Sequence, residues 1–248
     1  RKPLFNTTNY SFVRQSINDS YTSNNPLEPD NFTSSVFTEH KIATLNIGST
    51  FVFDQKFLTY PDRKFNVSES KFPSLTVNYR KTFGSSNPEF NADLITASLT
   101  QDIKAGNYGE FFYNIRGGMF LKNKNIAFMD NLQVKGNQMF IVTDNNRRNN
   151  FGLLEYYRFY TNNRYTEAHL EHSFNGYLLR KIPLINKLNF HLVTGIKGLF
   201  MWDKKPYSEY SIGIDNIGFG KWRVLRVDYV KSNFNGVKVD GFLFGLTF

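Results

Sequence analysis

What most constrains this chain is a hydropathy period of two, kept over segments of about ten residues and returning along most of its length. Between Lys41 and Asp54, Ala43, Leu45, Ile47, Phe51 and Phe53 fall on one face, and Thr44, Asn46, Gly48, Thr50 and Asp54 on the other. The pattern returns where Leu75, Val77 and Tyr79 oppose Thr76, Asn78 and Arg80, and where Phe111, Tyr113, Ile115 and Met119 oppose Glu110, Asn114, Arg116 and Gly118. It returns again where Phe190, Leu192, Ile196 and Phe200 oppose Asn189, His191 and Lys197. Tyr210, Ile212 and Ile214 oppose Glu209, Ser211 and Asp215, and Leu225, Val227 and Tyr229 oppose Arg226 and Asp228. The chain ends on the same rhythm, with Phe242, Phe244, Leu246 and Phe248 on one face and Gly241, Leu243, Gly245 and Thr247 on the other. A helix repeats every 3.6 residues and cannot produce this, so the alternation calls for long antiparallel strands.

Two all-β architectures use such strands, the soluble sandwich and the barrel. Sandwich strands run about five or six residues, whereas several here run about ten, the length a strand needs to cross a bilayer at a tilt. The mean hydropathy of −0.43 fits a barrel, because only alternate residues would meet lipid. No apolar run is long enough for a membrane helix; the nearest, from Ile182 to Gly198, is broken by Pro183, Asn186, Lys187, Asn189, His191 and Lys197. The 26 Phe and 14 Tyr suit the aromatic girdles of a barrel. Less regular segments near Asp93–Ile103, Phe151–Thr161 and Tyr165–Phe174 bring the count to about 10–12 strands. Tight turns are expected at Thr161–Arg164 and Gly218–Lys221, and a long polar loop over Lys122–Asn150, with short turns on one side of the barrel and long loops on the other.

The expected fold is therefore all-β, a transmembrane antiparallel β-barrel of about 10–12 strands, with a C-terminal part of a larger barrel as the open alternative. Residues 1–40, rich in Asn, Ser and Thr, form a loop-rich segment with one strand near Asn6–Ser16; residues 41–248 form the barrel. Residue 1 is Arg and no signal peptide is present, so an exported chain is expected to be processed or partial. The absence of Cys fits an oxidising compartment, and the terminal aromatic strand, Phe242, Phe244, Leu246 and Phe248, fits an assembly signal for the Gram-negative outer membrane. The net charge of +9 comes from scattered residues, which suits anionic lipid and lipopolysaccharide rather than nucleic acid. The pair Arg147–Arg148, set among asparagines, reads as a solvated loop tip.

The residues with chemical potential are few. On a strand His169 and Glu171 share a face with Glu167, while His172 points away, so the convergence that a metal needs is missing. No His has a Ser two positions away, so no nucleophile dyad is formed, and neither a catalytic site, a metal nor a cofactor is expected. The charged residues of the polar face, Arg80, Glu110, Arg116, Glu167, His169, Glu171, Lys197, Glu209, Asp215, Arg226 and Asp228, are candidates to line a lumen. Opposite charges on neighbouring strands can pair across it, giving either a filled and gated lumen or a polar channel; the filled reading is preferred.

At Tyr156–Thr161 and His169–Ile185, and again at Tyr207–Ile217 and Phe248, the chain resembles an uncharacterised outer-membrane barrel family of Bacteroidetes. That family usually carries a carboxypeptidase-regulatory-like domain ahead of the barrel, and the resemblance runs from about Phe72 to the end. It is distantly similar to BamA-type barrels, which implies a seam between first and last strands that opens for a client strand. The Val-Arg-Gly-Phe/Tyr loop motif of those barrels is absent; only Arg116-Gly117-Gly118 stands inside a strand. The expected function is non-enzymatic, in protein or lipoprotein transport or assembly at the outer membrane, with a passive or gated pore and a barrel hydrolase as alternatives. The partners implied are outer-membrane lipid and lipopolysaccharide, the barrel-assembly machinery during biogenesis, and proteins of the outer membrane.

Overall fold

The computed structural model describes residues 5–17, 40–68, 71–122, 126–137, 139, 141–220 and 222–246. In chain order the elements are β1 (Phe5–Ile17), β2 (His40–Val52), β3 (Lys56–Thr59), β4 (Lys64–Ser68), β5 (Ser74–Phe83), β6 (Ala92–Lys104) and β7 (Glu110–Lys122). There follow β8 (Leu132–Gln133), β9 (Ile141–Thr143), α1 (Asp144–Asn149), β10 (Tyr160–Thr161), β11 (Arg164–Ser173), β12 (His191–Met201), β13 (Lys204–Phe219), β14 (Trp222–Phe234) and β15 (Val237–Leu246). The long strands form one meander, β1-β2-β5-β6-β7-β11-β12-β13-β14-β15, extended at its last edge by the short β9. Every neighbouring pair of long strands is antiparallel. They run from 10 residues in β5 to 16 in β13, as the length argument requires. The strand expected near Asn6–Ser16 is β1, in register with β2 from Phe5↔Val52 to Ile17↔His40.

A single sheet of this length replaces the sandwich alternative, and the alternation read from the sequence defines its two faces. On one face Ile115, Ile196, Tyr210, Ile212, Leu225, Phe242 and Phe244 are exposed. On the other, Phe112, Asn114, Glu167, His169, Val193, Leu199, Glu209, Arg226 and Asp228 are buried. What buries them is the chain's own connection between β7 and β11. Leu94 of β6 and Phe120 of β7 pack with Ile126 and Leu132. Leu199, Met201 and Tyr207 of β12 and β13 pack with Val134, Phe151, Leu154 and Phe159. Val230 and Leu243 of β14 and β15 pack with Val142 and Leu153. Six strands, β6, β7 and β12 to β15, thus pack against one connection on the same face of the sheet.

Turn chemistry and bulges explain the ends. Asn235 and Gly236, at φ 52° and 84°, make the two-residue turn between β14 and β15 that suits the twist of adjacent strands. Register shifts at Ile214/Ile217 and Ile217/Phe219 bend the end of β13. Several expectations fail here. Phe151–Thr161 is not a strand: Phe151, Leu154 and Phe159 are buried in the interior, Glu155–Arg158 is exposed, and only Tyr160–Thr161 is in strand. Thr161–Arg164 is not a hairpin turn, because β10 pairs with β8 and not with β11. Short and long connections are not sorted to opposite ends. Asn235–Gly236 lies at the same end of the meander as the connection from β7 to β11, and Gly220 shares the other end with 174–190. The long connection folds inward, so its length does not mark an external loop.

Among the described residues no ladder joins β15 to β1, so a closed ring is not found. No helix among them is long and apolar enough to cross a membrane.

Truncating the interior should be costly and truncating the outward face cheap. Leu154→Ala is expected to lower unfolding free energy by about 2–5 kcal/mol, and Leu225→Ala in detergent by about 0.5 kcal/mol, read from denaturant midpoints.

Candidate functional site

The interior face of β7 and β11 to β14 presents charge to the segment 144–153. Alternation puts Arg116, Glu167, His169, Glu171, Lys197, Glu209, Arg226 and Asp228 on this face. Register then stacks them, with Glu167 opposite Arg116, His169 opposite Lys197, and Lys197 opposite Glu209. Several of these side chains hold backbone rather than each other. The Glu209 carboxylate accepts the Gly152 N–H at 2.7 Å and the Leu153 N–H at 2.8 Å, and also the Tyr207 hydroxyl at 2.7 Å. Lys197 Nζ donates to the carbonyls of Arg147 at 2.6 Å and Asn150 at 2.7 Å. Arg116 Nη2 donates to the Asn149 carbonyl, and Asn114 Nδ2 to the Asn149 side chain at 2.6 Å. The carbonyls of Arg147 and Asn149 belong to the last turn of α1, where intrahelical partners run out and cations are favoured. The wall therefore supplies cations where the segment offers carbonyls and a carboxylate where it offers amides.

A second layer joins side chain to side chain. Glu171 receives Arg147 at 3.2 Å, Arg148 at 3.1 Å and Arg226 at 3.0 Å. Asp228 is gripped by Arg226 through Nε at 2.8 Å and Nη2 at 2.7 Å, with Arg147 Nη1 at 3.9 Å. Arg148 also reaches Asp102 at 3.2 Å. Arg147 is 6% exposed, which corrects the solvated loop tip expected for Arg147–Arg148. Arg147 lies inside and Arg148 is half-buried because Glu171 and Asp228 on the wall offer buried countercharge, a relation between residues distant in sequence. The apolar residues flanking the pair, Ile141–Val142 and Phe151–Leu154, were the available signal that this stretch folds inward.

His169, 1% exposed, sits between Phe151, ring centroids 4.8 Å apart, and the Arg116–Glu167 pair. Its Nε2 lies 3.2 Å from Arg116 Nη2 and 3.5 Å from Glu167 Oε2. Among the described residues no group of three His, Cys, Asp or Glu is placed to hold a metal. The cavity at the centre of the cluster is about 20 Å³, room for one water. The arrangement binds the chain's own segment.

The remaining candidates lie apart. Arg80 donates to the Asp130 carbonyl, farther along the same connection. Burial pushes the Asp130 carboxyl above its ordinary range, against the pull of Arg80 and His40. Glu110 is opposite Ser173 at a strand end, and Asp215 accepts the Asn216 N–H; neither joins the cluster. Phe242, Phe244 and Leu246 alternate with the inward Leu243 and Gly245, with Phe242 and Phe244 exposed, while Phe248 lies outside the described residues.

The last strand carries the second feature of interest. Its outer edge is paired only with β9, parallel, through Phe244↔Ile141, Gly245↔Val142 and Leu246↔Thr143. Val142 is buried inward against Val230 and Leu243, while Ile141 is exposed beside Phe244, so β9 continues both faces of the sheet. From Val237 to Leu243 that edge has no ladder partner among the described residues. α1 follows β9 directly, so the strand on the β15 edge and Arg147 and Arg148 lie on one continuous stretch of chain.

A family model described as the C-terminal domain of a family of unknown function (DUF5686) matches residues 1–214. The chain belongs to this DUF5686 C-terminal domain family. The match includes β1 and β2, which the resemblance noted in the sequence left out, and ends within β13. Comparison with curated proteins and with solved structures gives no match.

The Glu209 clamp makes a graded prediction. Glu209→Ala strands two amides and a hydroxyl, and should cost about 3–5 kcal/mol. Tyr207→Phe removes one donor and should cost about 1 kcal/mol. Limited proteolysis should cut within 141–155 faster in the first variant only; equal rates would mean that Glu209 does not hold the segment.

Proposed function

We propose that this DUF5686 domain is a non-enzymatic β-barrel of the Gram-negative outer membrane, acting in protein or lipoprotein transport or assembly through the seam at β15. The observation that carries the reading is the edge of β15, covered over three residues by β9 and otherwise without a ladder partner among the described residues. An unpaired strand edge is a template for another strand, and proteins cover such edges unless they use them. The even number of long strands supports barrel closure, since β1 and β15 run antiparallel and can pair once β9 withdraws. The exposed apolar face formed by Ile115, Ile196, Ile212, Leu225, Phe242 and Phe244 supports membrane insertion, as a patch of this extent seeks an apolar solvent. The filled interior favours a seam over an aqueous pore, because conduction would require the clamped segment 144–153 to leave. A Bacteroidetes source and a carboxypeptidase-regulatory-like domain ahead of this one belong to the same proposal, as do lipopolysaccharide and the barrel-assembly machinery as partners.

The chain has no Cys, so introduced cysteines report cleanly. In the full-length protein in outer membranes, Ile141→Cys with Phe244→Cys should form a disulfide on oxidation and hold β9 on β15. The locked protein is expected to lose cross-linking to incoming outer-membrane proteins and to recover it on reduction. Unchanged cross-linking in the locked form would exclude the seam as the working site, and single-channel conductance surviving the lock would favour a pore.

A Lys at Ile212 tests insertion separately. Ile212→Lys should destabilise the protein in bilayers by about 2–4 kcal/mol, measured by urea titration in vesicles, and far less in a water-exposed setting.

A further inference from the structure

The connection between β11 and β12, residues 174–190, contains Arg180, Lys181 and Lys187 and no acidic residue. It is folded, with two 3₁₀ turns over Leu179–Lys181 and Ile185–Leu188. Two contacts fasten it to the adjoining ends of β13 and β14: Arg223 donates to the Leu188 carbonyl and Asn216 Nδ2 to the Asn189 carbonyl at 2.6 Å. The two connections therefore present one surface. Large apolar side chains stand out from it, with Leu184 85%, Phe219 91% and Trp222 81% exposed. Leu184 does so at φ 73°, a left-handed conformation that leucine avoids, so local backbone preference does not explain its outward position. The three cations are exposed on the same connection, Lys181 with its ammonium 3.9 Å from the Tyr177 ring centroid. This surface continues from the outward apolar face of β13 at Ile212 and Ile214.

Apolar tips with cations beside them match one environment in particular, the boundary where acyl chains meet phosphate headgroups; Trp and Tyr settle at that depth and Lys and Arg reach to the phosphates. We propose that this end of the sheet docks on anionic phospholipid headgroups, with Arg180, Lys181 and Lys187 on the phosphates and Leu184, Phe219 and Trp222 in the acyl boundary. The assignment rests on the membrane reading above and is independent of the seam.

The chain has two Trp, and Trp202 lies in the β12–β13 hairpin at the opposite end of the meander, so Trp202→Phe leaves Trp222 as sole reporter. The protein is reconstituted in vesicles of phosphatidylcholine with one-tenth phosphatidylglycerol, bromine being carried only by the phosphatidylglycerol. Quenching of Trp222 is expected to exceed by at least twofold that predicted from random mixing. The variant Arg180→Gln/Lys181→Gln/Lys187→Gln, checked for folding by near-ultraviolet circular dichroism, should lose this excess while remaining quenched in fully brominated vesicles. Quenching in proportion to mole fraction in the parent protein would overturn the headgroup assignment and leave insertion standing. Absence of quenching in fully brominated vesicles would overturn both.

Discussion

The structure depends on how a connection of about forty residues is kept inside a sheet without stranding its backbone. Glu209 takes the amides of Gly152 and Leu153, and Lys197, directly across the ladder, takes the carbonyls of Arg147 and Asn150. One antiparallel pair thus satisfies four backbone groups of the interior segment. Buried charge is costly alone, and here each charge has both an opposite charge nearby and polar backbone in contact. That explains why the inward face is ionic beside the segment 144–153 and apolar around Phe151, Leu154 and Phe159.

The same arrangement ties interior to edge. β9 lies on β15 by three backbone pairs, and the next residues bring Arg147 and Arg148 to Glu171. The strand on the β15 edge and the ion-paired arginines therefore lie on one continuous stretch of chain.

Much of this was legible from the sequence because strands write their faces into alternate positions. Phe242 and Phe244 outward with Leu243 inward, and Arg226 and Asp228 inward with Leu225 outward, followed from period two alone. Eight of the eleven charged residues read as facing inward meet at the segment 144–153. What was hidden was the partner of that face. Phe151–Thr161 was expected as a strand and Arg147–Arg148 as a loop tip, since the groups that bury them, Glu209, Lys197 and Glu171, lie 23 to 57 residues away in sequence. The parallel pairing of β9 was equally hidden, as three residues carry no periodicity. The end-on surface around Leu184, Phe219 and Trp222 depends on two turns being brought together by Arg223 and Asn216, a contact that no local pattern specifies.

The wall holds the 144–153 segment by its backbone. Hydrogen exchange of the amides of Gly152 and Leu153 in the folded protein tests this most directly. Protection comparable to that of the β12 and β13 ladders is expected, falling selectively in Glu209→Ala. Exchange at the rate of a solvated loop in the parent protein would contradict it.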